Sequence, residues 1–166
     1  MRRFPYLIAG LSFVAGFVSL FVFLALTQRP PLLALARAKG GPFFVTSVLN
    51  CSIPCVVVKN VGGSIPDFSD AARVARATET RVSIDGECAS SCAYFADKAR
   101  PMVCITPNAR FGFHQGTIFQ ETIVHIILVH SPDIQEWVDK NGGFPGPESF
   151  NWMPFAAAKQ FWPMCP

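Results

Sequence analysis

No charged residue lies between Arg3 and Arg29, and this one feature divides the chain. From Leu7 to Leu26 only Gly10, Ser12, Gly16 and Ser19 interrupt an apolar run of 20 positions. At about 1.5 Å per residue such a run reaches roughly 30 Å, the thickness of a bilayer core. It is longer than the h-region of an ordinary signal peptide, about 7–15 residues. It also has no polar face to turn toward water, which argues against a surface helix of a soluble domain. Residues 1–28 are therefore expected to form a transmembrane anchor. A cleaved signal is the alternative, with Ala36-Arg37-Ala38 as a small-x-small processing site. Residues 29–42, rich in Pro and Gly, read as a linker, and residues 43–166 as one domain.

Cysteine usage sets the compartment. All six cysteines (Cys51, Cys55, Cys88, Cys92, Cys104 and Cys165) follow the apolar run. An even number behind an export-like segment points to disulfides, and so to a domain on the extracytoplasmic, periplasmic side, or secreted if the segment is cleaved. Cys88 or Cys92 pairing with Cys104 is one expectation. Cys51 with Cys55, or either with Cys165, is another, and six cysteines leave 15 connectivities open. Neither close pair has Cys-x-x-Cys spacing, and His125 and His130 stand five apart, so no metal site is expected. Charge excludes a further class. The first 40 residues hold five of the 14 basic residues and no acid, which leaves the remainder at a net −2. A basic nucleic-acid-binding surface is not expected there.

The domain reads as alternating strands and helices, hence α/β. Phe43–Val48 is β-prone, and Cys55–Lys59 has the run of a buried parallel strand that ends in a turn at Asn60-Val61-Gly62-Gly63-Ser64. A helix through Ala71–Ala77 follows, then a strand from Arg81 and a helix over Ser90–Lys98. Further strands are expected at Met102–Thr106 and Arg110–His114. The pattern from Thr117 to Lys140 is helical, with a fresh start at Ser131-Pro132, and a last short helix is expected within Pro154–Phe161. Trp137, Trp152 and Trp162 are expected to fill the core near these last helices.

Acyl-transfer hydrolysis needs a nucleophile with its base, a group that orients the base, and backbone donors for the oxyanion. Gly62-Gly63 lies between a strand and a helix, where its amides could line a pocket. Ser90 and Ser91 open a helix, where free amides and the helix dipole favour developing negative charge. His114 follows at a strand end, 24 residues after Ser90. Each alone has an ordinary structural explanation, as a turn, a helix cap or a packed histidine; their order and spacing carry the reading. A thiol nucleophile at Cys88 or Cys92 is a lesser alternative.

Strand, Gly-Gly-Ser, helix, strand, Gly86-x-x-Ala89-Ser90, helix, strand, then Pro107-Asn108-Ala109-Arg110-Phe111-Gly112-Phe113-His114-Gln115 resembles the proteolytic subunit of Clp protease and the crotonase-like superfamily. More closely, Cys88-Ala89-Ser90-Ser91-Cys92 resembles an exported, uncharacterised branch with a Cys-Ala-Ser-x-Cys nucleophile segment. The likeness spans residues 55–116 well and 117–166 faintly. It implies a layered ββα fold, with Ser90 as nucleophile, His114 as general base, and amides of Gly62 or Gly63 and of Ser91 as the oxyanion hole. Ser91 is the rival nucleophile. It further implies a serine peptidase acting on peptide or protein substrates without a cofactor, and a possible homo-oligomer, since relatives form rings or trimers. A catalytically inactive binding or assembly module is the alternative. Enolate chemistry on a thioester is a third, disfavoured outside the cytoplasm. Three departures stand out: the Asn60–Gly63 turn is one residue shorter than the family's, the first βα unit is truncated, and the triad acid is open among Glu148, Asp139 and Asp133.

Overall fold

The computed structural model describes residues 34, 37–119, 123–126 and 128–166. The expected anchor over residues 7–26 and most of the linker lie outside the described residues. Among the described residues no helix is long and apolar enough to cross a membrane.

The described chain is a mixed α/β structure built on a mixed five-stranded sheet. Helix α1 (Pro42–Leu49) opens it. Pro42 presets φ in the first turn, and Asn50, left-handed at φ 54°, closes the last by donating its amide to Ser47 and Thr46. The expected strand over Phe43–Val48 is thus a helix, because Val45, Thr46 and Leu49 share one helical face that is buried. Strand β1 (Cys55–Asn60) then enters the sheet. It is an edge strand, with Cys55 and Val57 buried but Val56 and Val58 exposed, so it lacks the two covered faces expected of it.

Helix α2 (Ile65–Thr78) starts behind Ser64 with Pro66 in its first turn. Phe68, Ala71, Ala72 and Ala75 repeat at the three-and-four spacing that puts them on one buried face. The central strand β2 (Val82–Ala89) pairs in parallel with β1 on one side. On its other side it pairs in parallel with β3 (Val103–Ile105) along its first half and β4 (Arg110–Phe113) along its second. Helix α3 (Ser91–Lys98) connects β2 to β3.

After β4 the chain departs from expectation. Gly116–Phe119 (β5) and Ile123–Ile126 (β6) form an antiparallel hairpin where a helix was expected. Helix α4 (Pro132–Lys140) does begin at Ser131-Pro132. Strand β7 (Asn151–Pro154), not anticipated, runs antiparallel to β4, and helix α5 (Phe155–Ala158) follows it. The C-terminal segment returns to β3, where Ile105 donates to Pro163 O at 2.9 Å and Cys165 to Ile105 O at 3.0 Å. Trp162, 2% exposed, stacks on Phe111 at 4.1 Å and donates its indole N–H to Ala96 O at 2.9 Å. It fills the core as expected, whereas Trp152 lies half-buried on β7.

All six cysteines pair: Cys51 with Cys55, Cys88 with Cys92, and Cys104 with Cys165. The local first pair was among the expectations. The expected partnership of Cys88 or Cys92 with Cys104 is replaced by a bridge between the two themselves, across a strand-to-helix turn at a sequence separation of 4. Cys104 instead takes Cys165, because the C-terminal segment lies along β3.

Candidate active site

The site is built at the carboxyl end of β2. Ser90 turns the chain from strand to helix in a single residue, at φ 56° and ψ −126°. A non-glycine residue in this region carries about 1–3 kcal/mol of strain and persists only where its surroundings hold it. Here the Ser90 amide donates to Gly112 O at 2.8 Å, and its carbonyl accepts from Tyr94 N at 3.1 Å. The Cys88–Cys92 bridge ties the residues two before and two after it. Ser90 itself is half-buried. Ser91 differs: it is 1% exposed, and its hydroxyl donates to Gly63 O at 2.9 Å. That bond fastens the start of α3 to the Gly62-Gly63 loop.

The loop is fitted to the turn. Gly62 has φ 89°, and a Cβ there would stand 2.8 Å from both Ser90 Cβ and Ser91 N. No side chain fits, so the two backbones meet directly. Asn60 fixes the loop from below. Its Nδ2 donates to Leu49 O at 2.9 Å, and its Oδ1 accepts the Gly62 amide at 2.9 Å. The Gly62 N–H is therefore committed. The amides of Gly63 and Ser91 donate to no acceptor among the described residues. These two are the free donors beside Ser90.

His114 follows β4 directly. The parallel register pairs Ala89 with Gly112, so Ser90 and His114 leave neighbouring strands at the same end of the sheet. Gly112 allows this packing: a Cβ there would stand 2.8 Å from Ala89 Cβ and 3.0 Å from the Trp152 ring. The His114 ring lies 4.6 Å from that of Phe150, with Nδ1 3.2 Å from Pro147 O. A carbonyl can only accept, so Nδ1 carries the proton and Nε2 presents its lone pair. Nε2 is buried with no hydrogen-bond partner, so it makes no bond to Ser90 Oγ in this structure. Burial pushes the imidazole below its ordinary pKa, and the Pro147 carbonyl pulls part of the way back. The ring is thus neutral near pH 7, the form a base requires.

None of the three acids proposed for the triad is bonded to His114. Asp133 grips Arg100 through two bonds of 2.6 and 2.7 Å, Asp139 accepts from Gln135 at 3.1 Å, and Glu148 is exposed. The partner of His114 Nδ1 is instead the backbone carbonyl of Pro147, and a carbonyl leaves no mark in a sequence. A second buried cluster carries no local sequence motif. Asp97, its side chain fully enclosed, accepts from Arg100 Nε at 3.0 Å and from the Ser131 amide at 2.7 Å, with His130 Nδ1 at 3.5 Å. Burial opposes its charge, but His130, Ser131 and the nearby Lys98 ammonium outweigh that cost and hold its carboxyl well below the usual range.

No protein-family model matches the chain, and no curated protein proves similar to it. The three disulfides suit an oxidising, extracytoplasmic compartment.

Proposed function

We propose that the chain is a serine hydrolase of the Clp/crotonase-like type, a peptidase anchored through residues 7–26 and working outside the cytoplasm. The observation that carries this reading is the strained turn at Ser90, wedged between a loop with a free amide and the strand that leads into His114. Strain of this kind, together with the commitment of the Ser91 hydroxyl to Gly63 O, favours Ser90 over Ser91 as nucleophile. In the first step the Ser90 Oγ–H proton passes to His114 Nε2 as Oγ bonds the scissile carbonyl carbon. The resulting oxyanion takes the Gly63 and Ser91 amides. The tetrahedral species collapses, the amine leaves with the Nε2 proton, and water, activated by the same nitrogen, then frees the acid. Pro147 O keeps the ring in the correct tautomer, and its dipole supports the imidazolium less strongly than a carboxylate would. Slow turnover follows from that substitution.

The missing carboxylate also supports a second reading, an inactive module that binds or assembles. A fluorophosphonate probe separates the two. Labelling of the full chain that is abolished in Ser90→Ala and retained in Ser91→Ala is the expected result. Folded wild-type protein that takes up no probe would rule the hydrolase out.

A further inference from the structure

We infer that the Cys88–Cys92 bridge is an oxidation-dependent latch that holds Ser90 in its working conformation; as an account of activity it rests on the hydrolase reading above. The bridge spans only Cys88, Ala89, Ser90, Ser91 and Cys92, with the one strained residue at its centre. On the strand side Cys88 is held in the sheet opposite Phe111 and Asn60. On the helix side Cys92 lies in the first turn of α3, and both cysteines are 0% exposed. The covalent tie therefore connects two fixed points on either side of a residue whose preferred backbone would straighten the turn. With the tie open, only non-covalent contacts hold Ser90, namely its bonds to Gly112 and Tyr94 and the Ser91 bond to Gly63 O, and relaxation at φ would move Oγ and the Ser91 amide together. Nucleophile and oxyanion donor are then lost in one movement. Cys88 and Cys92 act in this scheme as positioning residues and touch no substrate.

Closure is a two-electron oxidation. The two thiols give up two protons and two electrons to a low-molecular-weight disulfide such as oxidised glutathione, which leaves as two thiols. Because both sulfurs are enclosed once the turn is formed, closure takes place in the open turn. The site is accordingly silent in a reducing compartment and assembled by oxidation.

The structure contains its own control. The Cys51–Cys55 bridge has the same sequence separation, 4, and so constrains the unfolded chain equally, but it lies away from Ser90. In the full chain, Cys88→Ala/Cys92→Ala is expected to slow fluorophosphonate labelling of Ser90 by about tenfold or more. Cys51→Ala/Cys55→Ala is expected to label at the wild-type rate. Hydrogen exchange gives a readout that needs no activity: the Ser90 amide loses protection in the first variant and keeps it in the second. Selective loss of that protection supports the latch even in a protein that never labels, in which case only the hydrolase reading falls. Unchanged Ser90 protection in Cys88→Ala/Cys92→Ala, or equal slowing in both variants, overturns the latch.

Discussion

Removing the Cys104–Cys165 bridge, by Cys104→Ser/Cys165→Ser, is expected to be the most destabilising loss of any single disulfide. Its partners stand 61 residues apart, against 4 for each of the other two. The chain-entropy relation gives about 4 kcal/mol for the long loop and about 2 kcal/mol for each short one. Both residues are only partly buried, so the introduced hydroxyls meet water and add little desolvation cost. For a domain of this size the long bridge corresponds to a fall in Tm of about 15 °C and a short one to about 7 °C. Thermal melts of the three double variants, followed by far-ultraviolet circular dichroism under oxidising conditions, measure both. The C-terminal segment keeps its Trp162 anchor in the variant, so the native fold persists and the melts compare like with like. A fall for Cys104→Ser/Cys165→Ser no larger than that for Cys51→Ser/Cys55→Ser would refute the reasoning. It would mean that the segment after Ala158 is held by packing alone and that the loop contributes nothing.

Two further outcomes follow from the titrating groups. The labelling rate at Ser90 is expected to fall in acid with a midpoint below about 6.5, because burial depresses the His114 pKa and only the neutral ring accepts a proton; a midpoint above that value contradicts the assignment. The same depression means that the unfolded chain protonates His114 first, so this residue lowers stability as pH drops from about 6.5 toward its folded pKa. Asp97→Asn is expected to cost about 3 kcal/mol, read as a lower urea midpoint, since it strips the charge from a fully enclosed carboxylate that holds Arg100 and the Ser131 amide. The wild-type Asp97 pKa is lowered on folding. Its contribution is therefore present in full above the unfolded carboxylate range and fades as pH falls through the folded value. A variant as stable as wild type at pH 7 would contradict the hub.

The β–α–β–α–β–β order from Cys55 to His114 is legible because most junctions there carry their own local signal. Gly62-Gly63 ends a strand, the Phe68–Ala75 face has helical spacing, and Ser90 begins a helix. Ser131-Pro132 worked for the same reason. Phe43–Val48 failed because its apolar, β-branched residues suit a strand intrinsically, while Pro42 and Asn50 cap a helix whose buried face is set by tertiary packing. The β5–β6 hairpin failed differently. Gln120-Glu121-Thr122 offers no Gly, Pro or Asn to announce a turn, so Thr117–Ile127 reads as one continuous element. The candidate nucleophile and base could be named from sequence. The partner of the His114 ring could not, since it is a main-chain carbonyl 33 residues from His114. Which of Gly62 and Gly63 keeps a free amide was equally hidden, because the answer depends on where the Asn60 carboxamide points.

The unequal spans of the three bridges also impose an order of events on a chain that emerges from its amino-terminal side. Cys55 appears four residues after Cys51 and Cys92 four residues after Cys88, so each pair can close almost as soon as it is exposed. Cys104 has no such neighbour. It must wait unpaired while 61 more residues arrive. During that interval it is the thiol best placed to capture a wrong partner, and early closure of the other four cysteines removes every wrong partner the chain itself could offer. The two small loops thus act as proofreading for the large one.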